Sequence, residues 1–317
     1  MGSGPSSRHF EIQRVAPGVH AAIATRTGFG LCNSAIIDLG GVTVVFDTML
    51  TPMAGRDLAR AAERLTGEKP TWVVNSHYHG DHIWGNSQFV ASHVVSSRRV
   101  RDAVLERSHR QWSDDRRSYP QGLQALEGPD SSVGRVDRPQ VRAWFRGVLS
   151  APRALRIVAP EVVFEDELVL HGRRRSLRLL TYGKAHSPAD VFGYLPDERI
   201  LLTGDLALKG YHPSLGDGYP SAWVDVLEKM RRLRVETVLP GHGPLAGGRT
   251  VEWNLGYHRA LRSAVARAVR RGVPGSKIAE LPVPPPYGGL RFSFMYPENL
   301  RRVYRELRVR RRRRSRS

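Results

Sequence analysis

The segment His77-Tyr78-His79-Gly80-Asp81-His82 constrains this chain more than any other. It places three imidazoles and a carboxylate within six residues, directly after the apolar run Trp72-Val73-Val74. Side chains alternate faces along an extended segment, so His77 and His79 point the same way. A turn at Gly80 then brings Asp81 and His82 to a second position. A solvated polar loop accounts for one histidine but poorly for this set. Imidazole nitrogens and a carboxylate oxygen are the donors a zinc-type cation takes, with bonds of about 2.0–2.2 Å. Any fold for this chain must therefore let a buried strand open into a metal-binding turn.

Size and charge narrow the classes. A chain of 317 residues is long enough for one large core with an added lobe. No apolar stretch approaches the roughly 18 residues of a membrane span. The Gly/Ser-rich start, Met1 to Arg8, lacks the apolar centre of a secretory signal. The single cysteine, Cys32, excludes an internal disulfide and reads as a small buried hydrophobe. These features lead us to expect a cytoplasmic protein with no membrane partner. The net charge is +19, and the stretch Arg301–Ser317 holds ten arginines and one glutamate of it. A run of this kind is ordinarily solvated, so it points only weakly to nucleic acid.

Periodicity outlines a layered α/β protein. Phe10–Val15, Val19–Thr25, Ser34–Leu39 and Val42–Phe46 read as strands, and Gly55–Leu65 as a helix. The Gly-rich segment between, residues 26–33, reads as a mobile loop. Thr71–Asn75 is the strand that delivers the histidine cluster. Residues 97–160 are Arg-rich, with helical stretches at Val100–Trp112 and Pro139–Leu149 and a Gly/Pro/Ser break at Glu127–Gly134. A helical insertion is expected there; a lid over the site and a packed lobe fit the pattern equally. Strands resume at Glu161–Phe164, Glu167–Leu170, Leu177–Tyr182, Val191–Leu195 and Ile200–Thr203. Helix Ala222–Leu233 and strand Thr237–Leu239 follow. Beyond about residue 250 the chain reads as a helical extension to 308. Residues 1–9 and the basic tail 309–317 read as disordered.

Three later segments end a buried strand with a ligand-type residue: Gly183-Lys184-Ala185-His186-Ser187, Leu202-Thr203-Gly204-Asp205 and Leu239-Pro240-Gly241-His242-Gly243. Each alone is an ordinary turn. Together with the first cluster they resemble the metallo-β-lactamase superfamily, over roughly Phe10 to Gly248. The resemblance implies a four-layer αββα sandwich with two metal ions at one edge of its sheets. It implies that His77, His79 and His186 hold the first ion, that Asp81, His82 and His242 hold the second, and that Asp205 bridges them. Two zinc ions are the expected cofactors, and iron or manganese also suit such a donor set.

Aspartate at 205 narrows the branch. The lactam-hydrolysing branches generally carry cysteine or serine there, whereas a bridging aspartate is similar to the glyoxalase II and lactonase branches. After His82 the chain reads Ile83-Trp84-Gly85-Asn86, unlike glyoxalase II. The pattern resembles a broad hydrolase group that includes proteins named for sulfur oxidation and cyclase-like zinc hydrolases. The resemblance thus implies a metal-dependent hydrolase of a small ester, thioester or lactone. A β-lactam hydrolase, or a nuclease using the basic surface, is the alternative; a metal-dependent scaffold protein is disfavoured by the full ligand set. The expected nucleophile is a water shared by two ions, with a pKa near about 7. Asp81 is expected to be catalytic, orienting that water or relaying its proton. Asp47 and Asp190 are candidates to orient the imidazoles, and Phe29, Trp84, Tyr211 and His212 to contact substrate. His9, His20, His93, His109, His171 and His258 have no ligand spacing.

Overall fold

A computed structural model describes residues 7–314, without the side chains of 310–314. Four layers follow from the alternation of apolar residues along its strands. In chain order the elements of the first half are β1 (Phe10–Ala16), β2 (Val19–Ala24), β3 (Ser34–Asp38), β4 (Thr43–Phe46), α1 (Pro52–Thr66), β5 (Trp72–Val74), the single turn α2 (Gly80–Ile83) and β6 (His93–Ser97). Then come the long helix α3 (Arg98–Glu127), α4 (Arg138–Ser150) and β7 (Val162–Phe164). Strands β1 to β7 form one sheet in sequence order, antiparallel to β4 and parallel from there. The second half comprises β8 (Glu167–His171), β9 (Ser176–Thr181), β10 (Val191–Leu195), β11 (Ile200–Gly204), α5 (Pro220–Met230), β12 (Thr237–Pro240), β13 (Ala246–Gly247), α6 (Thr250–Arg270) and α7 (Tyr296–Arg314). Its six strands make a second sheet in the order β13-β12-β11-β10-β9-β8.

Odd and even positions go to different layers. Ala35, Ile37, Val44, Phe46, Val74 and Val95 face inward to meet Leu177, Leu179, Val191 and Leu202 of the other sheet. Their neighbours Ile36, Val45, Val73 and Val94 face outward onto Ala54, Leu58, Ala61 and Ala62 of α1. On the far side Phe192, Tyr194, Leu201 and Val238 pack under Trp223 and Leu227 of α5 and Leu255 and Leu261 of α6. A period of two on each strand, covered by an amphipathic helix on each outer face, gives the αββα sandwich that the sequence implied.

Several expectations need correction. Strand β6 was not read from the sequence; it is short and begins at the exposed His93. Helix α3 runs on for fifteen residues past Trp112, through Pro120, because Tyr119 and Leu126 keep one buried face along an otherwise polar stretch. Helix α7 continues beyond 308 to Arg314, where a disordered tail was expected; residues 315–317 lie outside the described residues. At the other end, 1–6 lie outside them, but His9 is buried and its Nδ1 accepts a hydrogen bond from the Phe29 amide. Segment 26–33, expected as a mobile loop, is tied down. The Asn33 side chain donates to the carbonyls of Pro240 and Gly243, and a Cβ on Gly28 would lie 2.5 Å from the Arg8 and His9 backbone. The insertion is a packed lobe: Trp112, Tyr119 and Val148 belong to the inter-sheet core. Among the described residues no helix is long and apolar enough to cross a membrane.

Candidate metal centre

The seven ligand-type side chains converge at one edge of the sandwich. His77 and His79 follow β5, and Asp81 and His82 ride on α2. His186 sits in the turn between β9 and β10, Asp205 directly follows β11, and His242 follows β12. The Val191 amide bonds the Ser76 carbonyl at 2.7 Å, stitching the two sheets together beside the cluster. Glycine permits the closeness. A Cβ on Gly204, whose φ is +49°, would lie 2.6 Å from the Ser76 Cβ, and one on Gly241 would lie 2.2 Å from an Asp205 oxygen.

Three donor sets result, with ligand atoms in each within 4.8 Å of one another: His77, His79 and His186; His77, His82 and Asp205; and Asp81, His82 and His242. His79 Nδ1 stands 3.0 Å from both His77 Nε2 and His186 Nε2. An Asp205 oxygen lies 3.3 Å from His82 Nε2 and 3.4 Å from His242 Nε2, and its other oxygen 3.6 Å from His186 Nε2. Asp81 comes within 3.3 Å of His242. Asp205 therefore reaches both groups of histidines.

The outer nitrogen of each ring fixes which inner nitrogen is free. His186 Nδ1 donates to the Ser214 carbonyl and His242 Nδ1 to the Leu31 carbonyl, each at 3.1 Å. His82 Nδ1 donates to Asp47 Oδ2 at 2.7 Å, and His77 Nδ1 to Ser76 Oγ at 2.9 Å. His79 Nε2 donates to Asp217 at 3.3 Å. In a neutral ring so held the inner nitrogen is an unprotonated lone pair, as it is for His77 and His186. Two lone pairs 3.0 Å apart repel unless a cation lies between them. Donors around a tetrahedral zinc stand roughly 3.3 Å apart, so this spacing suits a shared ion. Buried His82 Nε2 and Asp205 Oδ1 also lack hydrogen-bond partners among the described residues. The residues present fit a pair of metal ions.

Electrostatics agree with that fit. Burial pushes His186 down to about 3 and drives His77 well below the usual imidazole range, so both are neutral donors. Burial opposes charge on Asp205, His82 and His242 alike, yet the carboxylates raise both rings well above the usual imidazole range and the rings hold the Asp205 carboxyl well below its own, so in this half of the cluster the carboxylates hold positive charge that a bound cation would replace.

Around the cluster the candidates divide. Asp47 takes the orienting role: it also accepts from the Ser76 amide and hydroxyl, both at 2.7 Å. Asp190 does not touch an imidazole; it accepts from the amides of Ala185 and Ser187 and so pins the turn that carries His186. Tyr211 and His212 line the cavity above the cluster, with Trp144, Leu208, Phe292 and Met295. Trp84 is instead buried edge-on against Trp112, and Phe29 stacks on His9 away from the cavity. The other histidines stay outside the cluster: His93 bonds Glu161 and His171 bonds Ser176, while His258 is buried against Trp223. Sequence reasoning missed Asp217, which holds both His79 and the Tyr78 hydroxyl, and Gln111 and Trp144 of the insertion. Nothing in their local sequence marks them.

Known proteins are similar to this chain in sequence or fold. A linear primary-alkylsulfatase from Pseudomonas sp. (strain ATCC 19151) is 25% identical over 271 residues, covering 78% of this chain and 49% of its own. The chain thus spans about half the length of that curated relative. Among solved structures, the stereoselective inverting sec-alkylsulfatase Pisa1 from Pseudomonas sp. superposes with a TM-score of 0.68 at 19% identity, over 94% of this chain and 50% of that one. A metallo-beta-lactamase from Pontibacter korlensis superposes with a TM-score of 0.59 at 16% identity, over 79% of this chain and 99% of that one. The family model described as the metallo-beta-lactamase superfamily matches residues 27–242, a span that runs from the tied-down loop to the last histidine of the cluster. With the sandwich, the ligand order and this match in agreement, the chain belongs to the metallo-β-lactamase superfamily.

Proposed function

We propose that this protein is a metal-dependent hydrolase of small carbonyl esters, thioesters or lactones that carry an apolar chain. His77, His79 and His186 would hold one ion and Asp81, His82 and His242 a second, with Asp205 within reach of both groups. Zinc is the first choice of metal, with iron or manganese also suited to these donors. Ions bound by such a set supply an acidified water and draw charge from the scissile oxygen.

The chain's own residues do the rest. Asp81, at the cavity floor, orients the attacking water and accepts its proton on a carboxylate oxygen. Asp47, Asp217 and the Ser214 and Leu31 carbonyls hold the imidazoles so that no reorientation precedes reaction. Trp144, Leu208, Phe292 and Met295 bind the acyl chain and keep bulk water from the reacting atoms.

The observation that carries this reading is a cavity of about 210 Å³ with the ligand cluster at its floor and apolar side chains on its walls. None of its described lining residues is lysine or arginine. That supports a neutral acyl substrate with a short chain over a doubly charged or polymeric one. A sulfate monoester is the second reading, favoured by the sequence likeness to a linear primary-alkylsulfatase. A panel on protein of measured metal content tests both: p-nitrophenyl hexanoate, a hexanoyl thioester, a lactone, a β-lactam and hexyl sulfate, each with and without chelator. Chelator-sensitive turnover of the carbonyl substrates is expected. Turnover of hexyl sulfate alone would replace the first reading with the second.

A further inference from the structure

His212 is buried, lines the cavity over the cluster, and belongs to none of the three donor sets. Its backbone amide is anchored to the Arg291 carbonyl at 2.9 Å. Its ring is held from behind: Nδ1 lies 2.9 Å from the Tyr257 hydroxyl. Asn299 settles the direction of that bond. The Leu215 amide donates to Asn299 Oδ1 at 2.9 Å, which leaves the Asn299 nitrogen as the donor side. That nitrogen donates to the Pro213 carbonyl at 2.7 Å and faces the Tyr257 oxygen at 3.4 Å. Tyr257 oxygen is thus an acceptor from Asn299, and among the described residues the acceptor facing its own proton is His212 Nδ1. The His212 ring then carries its own proton on Nε2. Nε2 is buried and has no hydrogen-bond partner among the described residues. A buried, unspent N–H donor is costly unless something fills it.

We propose that His212 is a substrate-binding residue whose Nε2–H donates a hydrogen bond to an acyl oxygen, and that Tyr257 and Asn299 position it by fixing its tautomer. This rests on the hydrolase reading for the identity of the acyl group, but not for the donor itself. Burial also pushes His212 down to about 4, so the ring stays neutral across the physiological range. A neutral donor suits an ester carbonyl before reaction and the carboxylate after it. Opposite the cluster, such a donor fixes which way the acyl group enters.

The test uses full-length, metal-loaded protein and hexanoate, a product-like probe, with binding read by calorimetry. His212→Phe keeps ring volume and removes the donor; His212→Gln restores an N–H near the Nε2 position. Phe is expected to weaken hexanoate binding at least about 10-fold and lower kcat/KM about 10–100-fold, with metal content unchanged and partial recovery in Gln. Equal hexanoate affinity in the Phe variant, or no hexanoate binding to the parent protein, would overturn the proposal. Should the Phe variant not fold, the parent protein still decides. Its imidazole ¹⁵N spectrum should contain an Nε2–H resonance, assigned by its absence from His212→Gln, that shifts on adding hexanoate; an unmoved resonance contradicts the proposal. Hexanoate binding through His212 without turnover of any ester would keep this assignment and discard the hydrolase reading.

Discussion

At the scale of single residues, orientation matters as much as donor type. His82 presents Nε2 to the cluster only because Asp47 holds its other nitrogen, and Asp47 itself has φ +60°, a conformation that aspartate and asparagine tolerate better than most side chains. Asp47→Asn should therefore fold, yet lose the anionic acceptor. Metal affinity is expected to fall about 10–100-fold in a competition assay with a chromophoric chelator; unchanged affinity would reduce Asp47 to a structural part. His79→Ala removes one donor from the all-histidine set. It should abolish measurable hydrolysis and lower the metal count per chain, while circular dichroism stays that of the parent. Retained two-metal stoichiometry would count against the ligand assignment. The seven converging side chains were legible because each pairs ligand chemistry with the end of a buried strand. Asp217 was not, since an aspartate between Gly216 and Gly218 looks like any turn. Trp84 misled for the opposite reason: closeness to His82 in sequence suggested the cavity mouth, but a tryptophan on that turn packs inward.

At the scale of elements, strands with strict alternation were easy to place, and elements that mix exposed and buried positions were not. Helix α3 shows the difference. Its first turns carry Val100, Ala103 and Val104 on one face, whereas the turns past Trp112 bury only Tyr119 and Leu126 among arginines and other polar residues. The polar stretch hid a helix that tertiary contact sustains. Similar contacts pack the insertion against the sandwich. Trp112 packs edge-on against Trp84 with ring centroids 4.8 Å apart, and its indole donates to the Arg153 carbonyl at 3.0 Å. Trp112→Ala should cost about 3–5 kcal/mol of global stability by denaturant unfolding. A lid hinged free of the core would show nearly none. Trp144 of α4 lines the cavity instead, so the insertion contributes both to the core and to the cavity wall.

At the scale of the whole molecule, two sheets meet along the edge where β5, β11 and β12 end, and the chemistry gathers there. The order of sheets and helices was readable from periodicity joined to the ligand order. The packing of segment 26–33 was not, because two of its anchors, the Pro240 and Gly243 carbonyls, lie more than two hundred residues away. The arginines of α7 lie on a helix whose Leu300 and Val303 pack on the outer core. Truncation at Arg310 should leave hydrolysis and metal content unchanged and weaken any RNA or DNA retention on filters, most at low salt; loss of hydrolysis would tie the tail to the site. The central claim is that side chains from both sheets hold a pair of ions, and anomalous diffraction from zinc-soaked crystals tests it most directly. Two peaks about 3.5–4 Å apart are expected, one among His77, His79 and His186 and the other among Asp81, His82 and His242. A cluster with no peak, or a single ion elsewhere on the chain, would contradict the account.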